Sequence, residues 1–142
     1  MKKTLLFILT LVLLINTFLI SAGAETLDTE NGITPRWTNC VVCSTSFGVA
    51  NDVAEIYIDY MARDDRFTYV EIEATLQKRF LLAFWREVDV FSVTSYEHSE
   101  YYYVDIPVEG TGKYRVKFYL EFHGNTGEVD VIEDTKTYDY EG

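Results

Sequence analysis

Two cysteines, Cys40 and Cys43, and two histidines, His98 and His123, are the residues of this sequence whose types suit redox, metal or nucleophilic chemistry. The cysteines have C-x-x-C spacing, but a thioredoxin-like pair sits at a helix N-terminus, where the dipole lowers a thiol pKa. Here the flanks, Trp37-Thr38-Asn39 and Val41-Val42, read as strand. In an extended strand two residues three apart point to opposite faces, with Cα atoms about 10 Å apart, too far for a bridge. Two outcomes stay open: the segment bends and the pair forms a disulfide, or both thiols stay free. A Cys/Cys/His/His zinc site fails on ligand spacing. Serine nucleophile motifs and Gly-rich phosphate loops are missing as well.

Carboxylates are abundant, so pairs of them carry little information. Glu71 and Glu73 share one side of a strand, and Arg115 and Lys117 are expected opposite them as a solvated charge ladder. A glycosidase pair would need a cleft, and a small sandwich offers little depth for one. Neither Asp64-Asp65 nor Glu133-Asp134 matches a calcium-loop pattern. The expectation is a protein that is not an enzyme, with no cofactor and no metal site.

Binding residues are easier to nominate. Phe80-Leu81-Leu82-Ala83-Phe84 places five consecutive apolar residues between two strands, flanked by Arg79 and Arg86. Either a strand extends and this run is core, or it is an exposed apolar tip suited to a partner protein or a lipid surface. Tyr57, Tyr69, Tyr101, Tyr103 and Tyr119 fall on polar strand faces by parity. They could form a tyrosine face for a sugar or a protein, or serve as ordinary cross-strand neighbours. The nominated partner-binding residues are Phe80, Leu81, Leu82, Phe84, Tyr69 and Tyr119.

The elements that position these residues begin after a leader. Lys2 and Lys3, an apolar stretch from Leu5 to Ile20 and Ala22-Gly23-Ala24 have the layout of a secretory signal peptide covering residues 1–24. A flexible lead-in is expected over 25–35 and one domain over 36–142. The chain from Glu25 on has ten basic residues against 23 acidic ones, a formal charge of −13. That charge repels nucleic-acid backbones and anionic headgroups, so neither nucleic acid nor a membrane anchor after cleavage is expected.

Beyond Arg36 the chain reads as seven alternating runs with turn signals between them. They cover about 37–46, 53–62, 67–78, 85–93, 101–108, 113–123 and 128–138. The inward sets are Ala54, Ile56, Ile58 and Tyr60; Val70, Ile72, Ala74 and Leu76; Tyr102, Val104, Ile106 and Val108; and Tyr114, Val116, Phe118, Leu120 and Phe122. One apolar face per strand predicts an all-β fold, a single antiparallel sandwich of immunoglobulin-like or fibronectin-III-like type. Tyr114, just after Gly110-Thr111-Gly112, is expected to form a tyrosine corner.

Arg36-Trp37, Leu76-Gln77-Lys78, Trp85 and Tyr114-Arg115-Val116-Lys117 together resemble a pattern in small secreted proteins of Gram-positive bacteria. The resemblance implies an immunoglobulin-like sandwich and export, and brings no activity with it. The chain departs from that pattern between Lys78 and Trp85, where the apolar run replaces a Gly/Ser-rich turn. The expected function is a secreted, monomeric binding module for a cell-surface or extracellular protein or glycan. The alternatives are a secreted effector, such as a small antagonistic or immunity factor, and a small carboxylate-dependent hydrolase.

Overall fold

Alternation of apolar and polar side chains after Trp37 builds seven antiparallel strands. In the computed structural model, which describes residues 37–81 and 83–142, these are β1 (Cys40–Ala50), β2 (Val53–Ala62), β3 (Phe67–Phe80), β4 (Phe84–Ser95), β5 (Ser99–Pro107), β6 (Gly112–Gly124) and β7 (Val129–Tyr140). The expected signal peptide and lead-in, together with Arg36 and Leu82, lie outside the described residues. No helix occurs among the described residues. The strands form two sheets, β1-β2-β5 and β4-β3-β6-β7, that pack as an all-β sandwich.

The core is the set of inward side chains that the period of two selects. Ile56, Ile58 and Tyr60 from one sheet meet Val70, Ile72, Leu76, Tyr114, Val116, Phe118, Leu120 and Phe122 from the other, all buried. Tyr60 and Phe122 meet edge to face across the layers, with ring centroids 5.5 Å apart. On β5 the inward set is less enclosed: Ile106 and Val108 are buried, whereas Tyr102 and Val104 are half-buried because β5 is an edge strand.

Tyr114 makes the predicted corner. Its buried ring fills the core while its hydroxyl donates to the carbonyl oxygens of Glu109 (2.9 Å) and Gly110 (2.7 Å). These bonds anchor the β5–β6 turn to the start of β6.

Three register irregularities interrupt the strand pairing, one of them between Phe67 and Tyr69 where β3 meets the end of β6, and the other two bear on the candidate sites. One falls between Cys40 and Val42 on β1, and the other opposes Leu76 and Gln77 of β3 to Asp89 and Glu87 of β4, leaving Val88 extra. One unpaired residue inverts the facing of everything beyond it. On β4, therefore, Phe91 and Val93 face the core, but past Val88 the even-numbered Arg86 and Phe84 take that side. Trp85 is turned outward, over the Arg115 guanidinium at 4.1 Å.

One flank of the sandwich is closed by side chains running from β1 to β7. Thr45 donates to Asp134 (2.6 Å), and Phe47 meets Tyr138 edge-on at 6.4 Å. β4 and β5 are the remaining edges of their sheets.

Candidate functional site

The β3–β4 hairpin carries the apolar run beyond the end of the other sheet. β3 continues two residues past its expected end to Phe80, which pairs with Phe84 at the start of β4. The strand does extend, yet its extension is not core: Phe80, Leu81 and Phe84 are 58%, 70% and 69% exposed. Phe80 and Phe84 share the inward parity of Leu76, but the facing sheet has ended, since Pro107 closes β5 opposite Val53 at the start of β2.

Leu81 turns the hairpin with φ of 55°, a left-handed conformation in which its Cβ crowds the following carbonyl. Glycine would adopt this conformation without penalty, so a bulky apolar side chain is held at the apex against local preference.

Beneath the overhang lies an open groove of about 500 Å³ lined by Lys78, Phe80, Arg86, Val88, Pro107 and Tyr114, among others. The Lys78 ammonium donates to the Glu109 and Gly110 carbonyls and lies 5.1 Å from the centre of the Tyr114 ring. Lys78 thereby fixes the groove floor, while Arg86, directly opposite it in the register, is exposed. Glu87 and Glu109 line the groove as well, so its two cations are balanced by two carboxylates, in a chain of strongly negative net charge.

The outer face of the four-stranded sheet is graded. Across β3 and β6 the pairs run Tyr69 with His123, Glu71 with Glu121, Glu73 with Tyr119, Thr75 with Lys117 and Gln77 with Arg115. This corrects the expected charge ladder: Glu71 faces a second carboxylate and Glu73 a tyrosine, while Arg115 donates to Gln77 at 2.8 Å. Carboxylates gather toward the start of β3, and cations toward its end. Among the described residues, Glu71, Glu121 and His123 are the one group of three metal-type ligands, with donor atoms within 4.8 Å of one another. Glu73, Glu87, Glu133 and Asp134 border a shallow depression of about 390 Å³ that Lys117 also lines.

The five outward tyrosines do not form one face. Tyr69 and Tyr119 belong to the four-stranded sheet, on the side just described. Tyr57, Tyr101 and Tyr103 cluster on the outside of the three-stranded sheet, where the Tyr57 ring lies 4.8 Å from Tyr103 and 6.2 Å from Tyr101. Parity established that all five point outward; only the sheet order separates them.

The bulge in β1 also decides the disposition of the cysteines. Cys40 is buried in the core and Cys43 packs against it, so both face inward despite their odd spacing. Both are free thiols. Burial pushes the Cys40 thiol up to about 12, helped by the negative field of Cys43 and Asp130. Burial likewise raises Cys43 to about 11, with Asp134 and Asp59 adding to the shift. Thiols held protonated in this way are poor nucleophiles at neutral pH.

Three groups of this architecture escaped the sequence. Val88 and Pro107 border the apolar tip but lie outside the run that signals it, and Glu121 joins Glu71 only through the register. The Asn39 and Asp130 side chains hydrogen-bond backbone groups more than eighty residues away, a separation with no local signature. Glu121-x-His123, two ligand types on one face of β6, is the signal that could have been found.

No protein-family model matches the chain, and no curated protein sequence matches it.

Proposed function

We propose that this chain is a secreted, immunoglobulin-like binding module that engages a partner protein through its β3–β4 hairpin tip. The partner is a cell-surface or extracellular protein offering an apolar pocket with an acidic rim. The observation that carries this reading is the tip itself: Phe80, Leu81 and Phe84 are held in water on a projecting hairpin whose apex adopts an unfavourable backbone conformation. Exposed aromatic and aliphatic anchors on a convex element are suited to filling a pocket, the commonest location of binding hot spots. Arg86 beside them favours a rim of carboxylates. An anionic bilayer is disfavoured as the target because the chain as a whole is strongly acidic.

Support for the immunoglobulin-like class comes from the Tyr114 corner and from the strand order. Pairing β4 with β3, opposite β1-β2-β5, is the fibronectin-III-like variant; the constant-type arrangement would put the fourth strand on the first sheet. The leader-like residues 1–24 support export. The module acts by binding, with no chemical step.

The test uses labelled protein on intact cells of the producing organism. Saturable retention is expected, with Phe80→Ser/Phe84→Ser weakening it about thirtyfold, as loss of a hot spot does. Equal retention of wild type and this variant would remove the tip as the site. Tight binding to phosphatidylglycerol vesicles in a parallel assay would reassign it to lipid.

The Tyr57, Tyr101 and Tyr103 cluster favours a second reading, a platform for a sugar ring. Under that reading Tyr101→Ser/Tyr103→Ser, and not the tip variant, abolishes retention.

A further inference from the structure

The register of β3 against β6 places two carboxylates where a sheet disfavours them. Glu71 is directly opposite Glu121, and like charges at opposed positions repel. One more row along is the pair Glu73 and Tyr119, and Tyr119 is in turn opposite Glu133 of β7, so the surroundings add negative charge. Lys117 lies two residues before Tyr119 on β6, opposite Thr75 and one row beyond that pair. The group that meets the two carboxylates is His123.

His123 follows Glu121 by two residues on the same face of β6. Its imidazole stacks on the Tyr69 ring, centroids 4.2 Å apart and planes within 10°, which holds the plane of the imidazole. Nε2 is shut off from solvent and makes no hydrogen bond, although it lies 3.5 Å from a carboxylate oxygen of Glu71. That separation is long and misaligned for a hydrogen bond. It is close to the roughly 3.3 Å between two ligands that each bind one tetrahedral ion at about 2.0–2.1 Å. A buried nitrogen with no donor or acceptor is costly, and a metal ion would satisfy it.

From this geometry we infer that Glu71, Glu121 and His123 form a binding site for a first-row divalent cation of the Zn²⁺ class. One imidazole and two carboxylates are a donor set such ions accept, and hard, oxygen-only cations would make no use of the imidazole. The three donor atoms already lie within 4.8 Å of one another, and Glu71 is half exposed, so its side chain swings inward at little cost. Three protein ligands leave a coordination position open on the outer face of the sheet, for water or for a partner's donor group. The ion also removes the Glu71–Glu121 repulsion, so binding tightens the β3–β6 pairing. The site lies nine residues along β3 from Phe80, about 30 Å at the rise of a strand, and stands independently of the tip.

The experiment titrates chelator-treated, untagged protein with Zn²⁺ and follows the two histidine Cε1–H resonances. His123 is expected to shift or broaden at stoichiometric metal while His98 stays in place. The melting temperature should rise by at least about 5 °C at a hundredfold excess over Kd. His123→Gln and Glu121→Gln should each weaken binding at least about tenfold, judged by competition with a chromophoric chelator. Glu73→Gln and Glu133→Gln, on the same face outside the triad, should leave affinity within about twofold. Equal movement of both histidines, or unchanged Zn²⁺ affinity in both His123→Gln and Glu121→Gln, would overturn the assignment. So would an equal loss in Glu73→Gln, since it would mean diffuse attraction to an acidic surface.

Discussion

β3 starts at one end of the sandwich that is sealed by polar bonds and finishes at another left apolar and open. At the sealed end the buried Asn39 side-chain amide donates to the carbonyl oxygens of Phe122 (3.1 Å) and Glu128 (2.8 Å), and the Asn39 backbone carbonyl accepts from the Arg63 amide (2.8 Å). The Asp130 carboxylate accepts from three successive backbone amides, Thr38, Asn39 and Cys40, at 3.0, 2.5 and 2.9 Å. Gly124 is required there, because a Cβ would lie 2.3 Å from Asn39 Oδ1. At the other end the hairpin projects three well-exposed apolar side chains and holds Leu81 in a strained conformation. One end spends its side chains on satisfying backbone groups, as stability requires. The other leaves apolar surface in water, which stability alone does not favour.

The comparison breaks most visibly at Asp130. Asp130→Ala strands three amides in a partly buried site, and each unmet donor costs about 1–3 kcal/mol, less where water reaches it. A loss of about 4 kcal/mol is expected in urea unfolding, out of a net stability on the order of 5–15 kcal/mol. A loss under about 1 kcal/mol would mean that water replaces the carboxylate and that this end is not sealed.

Thiol reactivity gives the next measure of sealing, because Cys40 lies under the Asp130 latch. Relative to an ordinary thiol at 9, thiols raised to about 11 and about 12 have thiolate populations lower by about a hundredfold and a thousandfold at pH 8. Iodoacetamide should therefore label Cys43 and Cys40 that much more slowly in the folded protein than in urea. The linkage has a definite sign: both folded values are raised, so the stabilising contribution is complete below pH 9 and is lost as pH climbs from 9 toward 12. Cys40→Ala/Cys43→Ala should flatten this alkaline decline. Fast labelling of Cys40 at pH 8 would show that the latch opens readily, and intact mass under non-reducing conditions would reveal a disulfide as a loss of two hydrogens.

What the sequence disclosed and what it hid follow from the same period of two. Alternation places Ile56, Ile58 and Tyr60, and likewise Val116, Phe118 and Leu120, in the core without any knowledge of pairing, and β2 has the expected limits of Val53 and Ala62. The run at 80–84 is visible as an anomaly, although whether it is core depends on where the facing sheet stops. Bulges defeat parity: nothing local announces the extra Val88, and with it the outward turn of Trp85 onto Arg115. Register is equally hidden: the sequence allows Glu71 a basic neighbour on β6, and the pairing puts Glu121 there instead. The Asn39 and Asp130 bonds join side chains to backbone some ninety residues away, a separation at which hydropathy carries no information.

Leu81 sharpens the comparison with the smallest effect and the clearest sign. At φ of 55° a side chain with a Cβ costs about 1–2 kcal/mol, which glycine avoids, while glycine's extra freedom in the unfolded chain returns about 0.5–1 kcal/mol. Leu81→Gly should therefore stabilise the protein by roughly 0.5–1 kcal/mol, a melting temperature higher by about 4 °C. Retention on cells should fall at the same time, because an anchor is removed from the tip. A gain in stability with unchanged retention would make Leu81 a dispensable turn residue and leave Phe80 and Phe84 as the anchors. A loss of stability would mean that the leucine side chain contributes more to the fold than its exposure implies, and the contrast between the two ends of β3 would fail at the apex. The combination of raised stability and lost binding is the signature of a residue retained for contact with something outside the domain.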